Sequence, residues 1–229
     1  EPEGQGGLDL EIVLTTGEVG GEKTGKKKYL VNGVGKRTID FLGNLRAVYF
    51  GPEDLELITD SPSLRRKYLD MVLYQVDKEY ARASLSYEKG LRSRNRILES
   101  YRLQTTDYGL QHENMTVDRR RLYFWDQLLV KNGNIITQGR GEFINYLNNV
   151  QCTIYNVQFE VEYDASTISA ERLAKYANEE VAAGVTLVGP HRDDIKFKVQ
   201  SSKFKVGDVR DLAIYGSRGE QRLAILWLK

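Results

Sequence analysis

One long stretch of helical patterning, set between two segments of strand patterning, constrains the fold of this 229-residue chain more than any other feature. Across residues 61–103 and 117–147, apolar residues recur every three or four positions, as they do on the buried face of a helix. Strand-type runs precede this stretch at residues 8–14, 28–31 and 46–50. The β, α, β order predicts one mixed α/β lobe that a helical arm interrupts.

The residues on either side of the arm indicate its boundaries. Glycine-rich turns separate the first strands, and Pro52 with two carboxylates behind it is typical of a helix start. Beyond the arm we expect, in chain order, a strand at 157–163, one helix at 169–183, strands at 185–188, 195–199 and 204–206, and a helix from about Ser217. We therefore divide the chain into a β-rich part of the lobe at 1–60, the arm at 61–157 and a return to the lobe at 158–229.

Charge balance and cysteine content narrow the class of protein. The 33 basic and 32 acidic residues nearly cancel, so a nucleic acid must be held by local basic clusters rather than by net charge. Cys152 is the single cysteine, and His112 and His191 are the two histidines, which argues against disulfides and against a Cys-rich or His-based metal site. With neither a secretion signal nor a long apolar run, we expect a cytoplasmic protein without a membrane partner.

Two motifs resemble nucleotide-handling loops but lack their context. Residues 20–27 have the glycine and lysine spacing of a P-loop, yet Lys27 stands where a Ser or Thr must bind magnesium, and a strand follows; a glycine-rich hairpin turn fits better. His191-Arg192-Asp193 resembles a kinase catalytic loop, but Lys198 stands where that loop has its magnesium-binding Asn. The pair Asp193 and Asp194 fits a turn into a strand better than a magnesium site. We expect no metal ligands in this chain.

A further motif opens the last predicted helix: Gly216, then Ser217-Arg218-Gly219-Glu220-Gln221-Arg222. A small hydroxyl residue near a glycine lets backbone N–H groups at a helix start approach a phosphate. The same residues also fit an ordinary capping box, with Ser217 as N-cap and Glu220 three residues later. Local sequence leaves both interpretations open and favours the simpler capping box.

Several segments occur in one characteristic order. They are residues 50–58, 61–70, 87–98, 125–128, the run Gly189-Pro190-His191-Arg192-Asp193-Asp194 and the run from Gly216 to Arg222. In this order they resemble the RecF family of SMC-type and ABC-type ATPases, over nearly the whole chain. Three positions differ, because the family usually has Gln at Arg218 and Glu220 and Ser at Gly51. The run 217–222 corresponds to the ABC-type signature.

The resemblance implies an α/β fold, a partial ABC/SMC-type ATPase head with an inserted α-helical arm. Such heads bind ATP between two head-to-tail subunits, so Ser217 and the backbone around Gly219 would contact the γ-phosphate held by the P-loop of the partner. Arg222 would brace the turn, meet the phosphate or form only a surface salt bridge. The nucleotide-binding signature implied by the resemblance consists of Ser217, Arg218, Gly219, Glu220, Gln221 and Arg222. The P-loop of the family should precede Glu1 and its Walker B motif should follow Lys229. We therefore expect an internal fragment with no catalytic residue, which binds ATP and Mg²⁺ poorly by itself and does not hydrolyse ATP.

The resemblance also implies a recombination mediator in DNA repair, replication and the SOS response. Such a protein forms an ATP-dependent homodimer, binds single-stranded and gapped duplex DNA, and helps RecR and RecO to load RecA. The candidate phosphate contacts are basic residues in or beside the arm: Arg65, Arg66, Arg92, Arg94, Arg119, Arg120 and Arg121. Each cluster also fits a solvated helix face paired with acidic residues, and Arg65 and Arg66 also fit a structural role against the lobe.

Two other functions stay open. The arm fits a non-enzymatic protein-interaction module in which the signature is only a helix cap. The chain also fits another SMC-like ATPase head, although no heptad pattern of a long coiled coil is sustained through residues 61–157.

Overall fold

The computed structural model describes residues 7–19, 22–23, 25–107, 119–150, 157–201 and 209–229. The strands are β1 (Leu10–Leu14), β2 (Glu18–Val19), β3 (Glu22–Lys23), β4 (Lys27–Val31), β5 (Val34–Lys36), β6 (Val157–Asp164), β7 (Asp194–Ser201) and β8 (Arg210–Asp211). The helices are α1 (Thr38–Phe41), α2 (Glu56–Thr59), α3 (Pro62–Val76), α4 (Lys78–Asp107), α5 (Arg119–Asn149), α6 (Ala170–Lys175), α7 (Ala177–Ala183), α8 (Leu212–Tyr215) and α9 (Arg218–Leu228), with 3₁₀ turns at Pro52–Leu55 and Pro190–Arg192. This order confirms the predicted α/β fold with helices between two β segments.

The first β segment is an antiparallel sheet in the order β1-β4-β5. The short strands β2 and β3, which lie between β1 and β4 in the chain, pair antiparallel. Within the P-loop-like run 20–27, Glu22–Lys23 form β3 and Lys27 begins β4, so a strand follows as the sequence indicates. Gly20, Gly21 and Thr24 lie outside the described residues, and the predicted glycine-rich turn stays a prediction.

The prediction of a strand at residues 46–50 is wrong. This run is extended, and its backbone is bound by side chains instead of a neighbouring strand: the Ala47 N–H donates to Gln75 Oε1, and Lys229 Nζ donates to the Tyr49 carbonyl. Val48 and Tyr49 are 71% and 66% exposed.

The arm consists of α3, α4 and α5, which confirms the predicted helical stretch. Pro62 at the first position of α3 has the fixed backbone angle that a helix start favours. Asp77 ends α3, and its carboxylate then accepts the N–H groups of Glu79 and Tyr80 at the start of α4. The long helices α4 and α5 pack antiparallel. Gly139 permits their close approach, since a Cβ there would lie 2.8 Å from the Tyr80 ring.

The base of the arm and the end of the chain share one hydrophobic core. It joins Leu69 of α3 and Ile144 of α5 to Val161 and Val199 of the β6-β7-β8 sheet and to Ile225 of α9. Each of these side chains is at most 3% exposed. The core fixes α9 against the arm, while the predicted three-part division of the chain stays a prediction. None of the helices in the described residues has the length and apolarity needed to cross a bilayer.

Three further expectations on the return segment have different outcomes. The single helix predicted at 169–183 is split, because Tyr176 leaves helical geometry at φ −96° and ψ 12°. Residues 185–188 are not a strand, since the N–H groups of Thr186 and Leu187 donate to the side chains of Asn95 and Glu180. The strand predicted at 204–206 lies outside the described residues.

Candidate functional site

The predicted signature forms the first turn of α9 at the protein surface. Ser217 is the N-cap residue, and its Oγ accepts a hydrogen bond from the Glu220 N–H at 3.3 Å. The Glu220 carboxylate accepts in return from the N–H and the hydroxyl of Ser217, both at 2.8 Å. The capping box that the local sequence predicts is therefore confirmed.

Two buried side chains hold this turn from below. Glu220 and Gln221 are 7% and 4% exposed, and Gln221 Nε2 donates to the Leu212 carbonyl of α8 at 3.3 Å. Gly216 lets the chain pass close to α8, because a Cβ at that position would lie 2.5 Å from the same carbonyl oxygen. The turn is fixed to α8 while the first three signature residues stay exposed.

The exposed turn has the chemistry of an anion-binding site. The Gln221 N–H donates to the Ser217 carbonyl, so the N–H groups of Arg218 and Gly219 precede the hydrogen-bond ladder of the helix and have no acceptor within it. Gly219 has no side chain to cover them, and the helix dipole adds partial positive charge. A phosphate oxygen is the kind of ligand that such a turn binds.

Arg222 lies one position beyond this turn and is exposed. It lines a cavity of about 240 Å³ together with Phe50 and Pro52, which precede α2. The Gly51 N–H between them donates to Asp54 at 2.7 Å, so the start of the 3₁₀ turn is also capped. Arg222 therefore lies at the border between the signature surface and the segment that leads into the arm.

Glu220→Ala is expected to lower the free energy of unfolding by about 1 kcal/mol, because it removes one half of the capping box. Glu220→Gln keeps an acceptor in the same place and should retain most of the stability. Chemical denaturation measures both, with Glu179→Ala in the exposed first turn of α7 as the control. A loss no greater than that of the control would show that Glu220 does not brace the turn.

Arg65 and Arg66 lie where α3 meets β7. Arg65 donates from Nε and Nη2 to the Asp194 carboxylate at 2.7 and 2.9 Å, and from Nη1 to the Asp60 carbonyl at 2.6 Å. Arg66 donates from Nη1 to the Asp193 carbonyl at 2.7 Å and stays partly exposed. Arg65 is 8% exposed. It therefore has the structural role against the lobe that the sequence left open as an alternative.

Arg140 of α5 is the centre of a buried polar network. Its Nη2 donates to Asp70 of α3 at 2.8 Å, and its Nη1 donates to Asp193 at 2.9 Å and to the Pro190 carbonyl at 2.7 Å. Nε donates to the Tyr80 hydroxyl at 3.1 Å. One guanidinium therefore joins α3, α4, α5 and the turn before β7.

Asp193 is the buried acceptor of the same network, at 1% exposure. Besides Arg140, it accepts from the Tyr163 hydroxyl at 2.5 Å and from the Ser166 N–H at 2.7 Å. Asp193 ends the Pro190–Arg192 turn and Asp194 begins β7, so the predicted turn into a strand is confirmed. Both carboxylates bind arginines.

Arg94 forms a second buried network between α4 and α7. It donates to Asp126 at 2.7 Å and to the Thr186 hydroxyl at 2.9 Å. Its Nη2 also forms an ion pair with Glu180, 2.7 Å from Oε2. Burial raises the pKa of Glu180, and the Arg94 charge opposes that rise.

These positions change the set of candidate phosphate contacts. Arg65 and Arg94 are buried with their guanidinium groups engaged, so we remove both from the candidates. Arg92 pairs with Glu88 at 3.3 Å on an exposed helix face, which agrees with the alternative of a solvated helix face paired with acidic residues. Arg120 and Arg121 are exposed, with Arg121 over an aromatic ring of α4, and the side chain of Arg119 lies outside the described residues.

Both ring nitrogens of His191 lie within hydrogen-bond distance of neighbouring groups of the protein. Its Nδ1 lies 2.8 Å from the Tyr87 hydroxyl and its Nε2 lies 3.0 Å from the Thr186 carbonyl. Burial lowers the pKa of His191 to about 4, so the ring is neutral near pH 7. With Nε2 donating to the carbonyl, Nδ1 accepts from the tyrosine.

Sequence reasoning missed Arg140, although a signal for it exists. Arg140 falls midway between Ile136 and Ile144 at four-residue spacing, so a charged residue occupies the apolar stripe of α5. A charge at a core position indicates a buried ionic partner.

Comparison with known proteins identifies the family. No protein-family model matches the chain. The DNA replication and repair protein RecF of Herpetosiphon aurantiacus is 31% identical over 218 residues, which cover 90% of this chain and 52% of that protein. RecF of Chloroflexus aurantiacus is 36% identical over 212 residues, covering 84% of this chain and 50% of that protein. The chain thus spans about half the length of these relatives.

Solved structures agree with the sequence relatives. The structure described as the recombination mediator protein RecF-ATPrS in the RecFOR pathway superposes with a TM-score of 0.73 at 30% identity, covering 90% of this chain and 56% of that one. The corresponding RecF-ATP structure gives a TM-score of 0.72 at the same identity. The fold is that of part of an SMC/ABC-type ATPase. The chain belongs to the RecF family of DNA replication and repair proteins.

Proposed function

We propose that the chain is the signature-bearing part of a RecF-type recombination mediator, which acts in DNA repair as an ATP-dependent homodimer. The Ser217 turn of one subunit binds the γ-phosphate of ATP held, with Mg²⁺, by the P-loop of the other. One observation carries this proposal: the turn is exposed and rigidly held, and the N–H groups of Arg218 and Gly219 have no acceptor in α9. The relatives with solved structures are named as RecF-ATP and RecF-ATPrS.

The geometry suits a contact that forms only between subunits. Hydrogen bonds to a charged phosphate contribute about 1.5–3 kcal/mol each when water is excluded. Because the capping box already fixes Ser217, little conformational entropy is lost when the turn meets a phosphate. The chain has no P-loop in its own sequence, so it supplies only one half of the nucleotide site.

The same proposal includes DNA and protein partners. Exposed arginines of the arm, Arg92, Arg120 and Arg121, contact phosphates of single-stranded or gapped DNA without reading the bases. RecR, RecO and RecA are the protein partners in the cytoplasm. Support comes from the RecFOR pathway named for the similar solved structures and from the basic character of these helix faces.

Sedimentation velocity of the complete protein tests this function. We expect a monomer without nucleotide and a dimer with ATP, because the turn gains its phosphate partner only when ATP is bound to a second copy. ADP, which lacks the γ-phosphate, is the matched control, and with ADP the protein should stay monomeric. An ATP-independent oligomeric state would contradict the proposal.

One observation favours the interaction-module alternative as a second candidate. A cavity of about 1110 Å³ lies between α5 and the α6–α7 pair, and Tyr123 and Phe124 at its edge are more than 60% exposed. An apolar groove between helices is a common docking site for a partner helix. This alternative predicts that ATP leaves the oligomeric state unchanged.

A further inference from the structure

We propose that a cavity beside α3 binds one nucleotide unit of single-stranded DNA, with Arg66 and Lys67 on its phosphate. This inference rests on the DNA-binding function proposed above. The cavity has a volume of about 740 Å³ and lies between α3, α4, residues 41–45 and the Pro190–Arg192 turn. This volume is within the range of sites that enclose small organic ligands.

Arg66 differs from the other arginines around the arm. Arg65, Arg94 and Arg140 each form an ion pair with at least one carboxylate. Within the part of the chain that the structure describes, the Arg66 guanidinium has no such partner and donates only to a backbone carbonyl. Burial and the nearby Arg140 charge lower the pKa of Arg66, while the charges of Asp194, Asp193 and Asp70 act in the opposite direction. The Arg66 guanidinium thus has carboxylates nearby but no ion-pair partner among the described residues, and its remaining N–H donors suit an anion bound in the cavity.

The acidic residues that line the cavity, Asp70 and Glu88, each form an ion pair with another arginine. Asp70 binds Arg140, and Glu88 pairs with Arg92 on the outer face of α4. Lys67 is exposed at the cavity, next to Arg66 on α3. Arg65, Arg66 and Arg140 balance the charges of Asp70, Asp193 and Asp194, so the exposed Lys67 leaves the cavity with an excess of positive charge.

The remaining wall of the cavity is largely apolar. Phe41, Leu42, Met71, Tyr74 and Leu91 form this surface. A ligand that satisfies both parts has an anionic group and a flat, weakly polar body, which describes a phosphate with its sugar and base. Because bases of a single strand are free to leave the stack whereas those of a duplex are paired inside it, the cavity fits a unit of single-stranded DNA.

Fluorescence anisotropy of a labelled oligothymidylate with the complete protein and ATP tests the site. Arg66→Gln should weaken binding about tenfold or more, since it removes charge-assisted hydrogen bonds to a phosphate. Lys67→Gln should weaken it by a smaller factor and is the safer variant for folding, because this side chain is exposed. Lys196→Gln, an exposed lysine of β7 outside the cavity, is the matched control.

The salt dependence separates a direct contact from a structural effect. Each lost phosphate contact should reduce the slope of log affinity against log salt by about 0.7 for a single strand. A blunt duplex should bind both cavity variants as it binds the wild-type protein, and both variants should still dimerise with ATP. A protein that binds no oligothymidylate contradicts the proposed function itself. Normal affinity and salt slope in both variants contradict only this site, and thymidine monophosphate binding as tightly as the oligomer contradicts its assignment to a DNA strand.

Discussion

Arg140→Leu is expected to lower the free energy of unfolding by about 3–5 kcal/mol, because it leaves buried carboxylates without their counter-charge. Arg140 is 3% exposed and Asp193 is 1% exposed, so water cannot replace the lost donors without opening the core. Asp70 and the Pro190 carbonyl lose donors in the same step. Urea denaturation followed by tryptophan fluorescence measures the change.

Two comparisons make this prediction specific to burial. Arg37→Leu breaks an ion pair of similar length, 2.8 Å to Asp40, but Arg37 is largely exposed and its loss should leave stability unchanged. Adding Asp193→Asn to Arg140→Leu removes one orphaned charge, so the double variant should be more stable than the sum of the two single changes predicts. Additive losses, or equal losses at Arg37 and Arg140, would contradict the proposed role of the network.

Ser217→Arg is expected to abolish ATP-dependent dimerisation of the complete protein. The change places a long charged side chain over the N–H groups of Arg218 and Gly219 and removes the cap of α9. If each of two shared sites loses about 1.5–3 kcal/mol of phosphate binding, the dimer should dissociate roughly 10²–10⁴-fold more readily. Sedimentation equilibrium in ATP gives the constant.

Ser169→Arg is the matched control for this change. Ser169 caps α6 as Ser217 caps α9, with its Oγ accepting from the Arg172 N–H at 3.2 Å. Both variants lose an N-cap and gain the same charge, so any shared effect reports helix stability alone. We expect Ser169→Arg to dimerise like the wild-type protein; an equal defect in both would remove the special role of Ser217.

The sequence was sufficient to predict the elements that depend on contacts between residues close together in the chain. The α4 and α5 patterns, the β6 alternation and the Ser217 capping box each depend on neighbours within a few residues. The errors at 46–50 and 185–188 have the opposite cause. There the N–H groups of Ala47 and Thr186 bind the side chains of Gln75 and Asn95, which are 28 and 91 positions away.

The same physical difference applies to the candidate site. The signature turn was found because its cap is local, although its role came from the order of the upstream segments. The role of Arg65 depends on Asp194, which is 129 positions away. The burial of Arg65 therefore could not be predicted from a basic cluster in the sequence.

Mixing two defective copies tests the central claim most directly, because the claim is that the Ser217 turn acts on a nucleotide held by another subunit. One copy carries Ser217→Arg, and the other carries alanine in place of the P-loop lysine that the proposal assigns to sequence outside this chain. Each copy alone should stay monomeric in ATP. Their mixture should form dimers, detected by energy transfer between donor-labelled and acceptor-labelled copies, because one intact shared site is restored. No energy transfer in the mixture, or ATP-dependent dimers of the Ser217→Arg copy alone, would contradict the account.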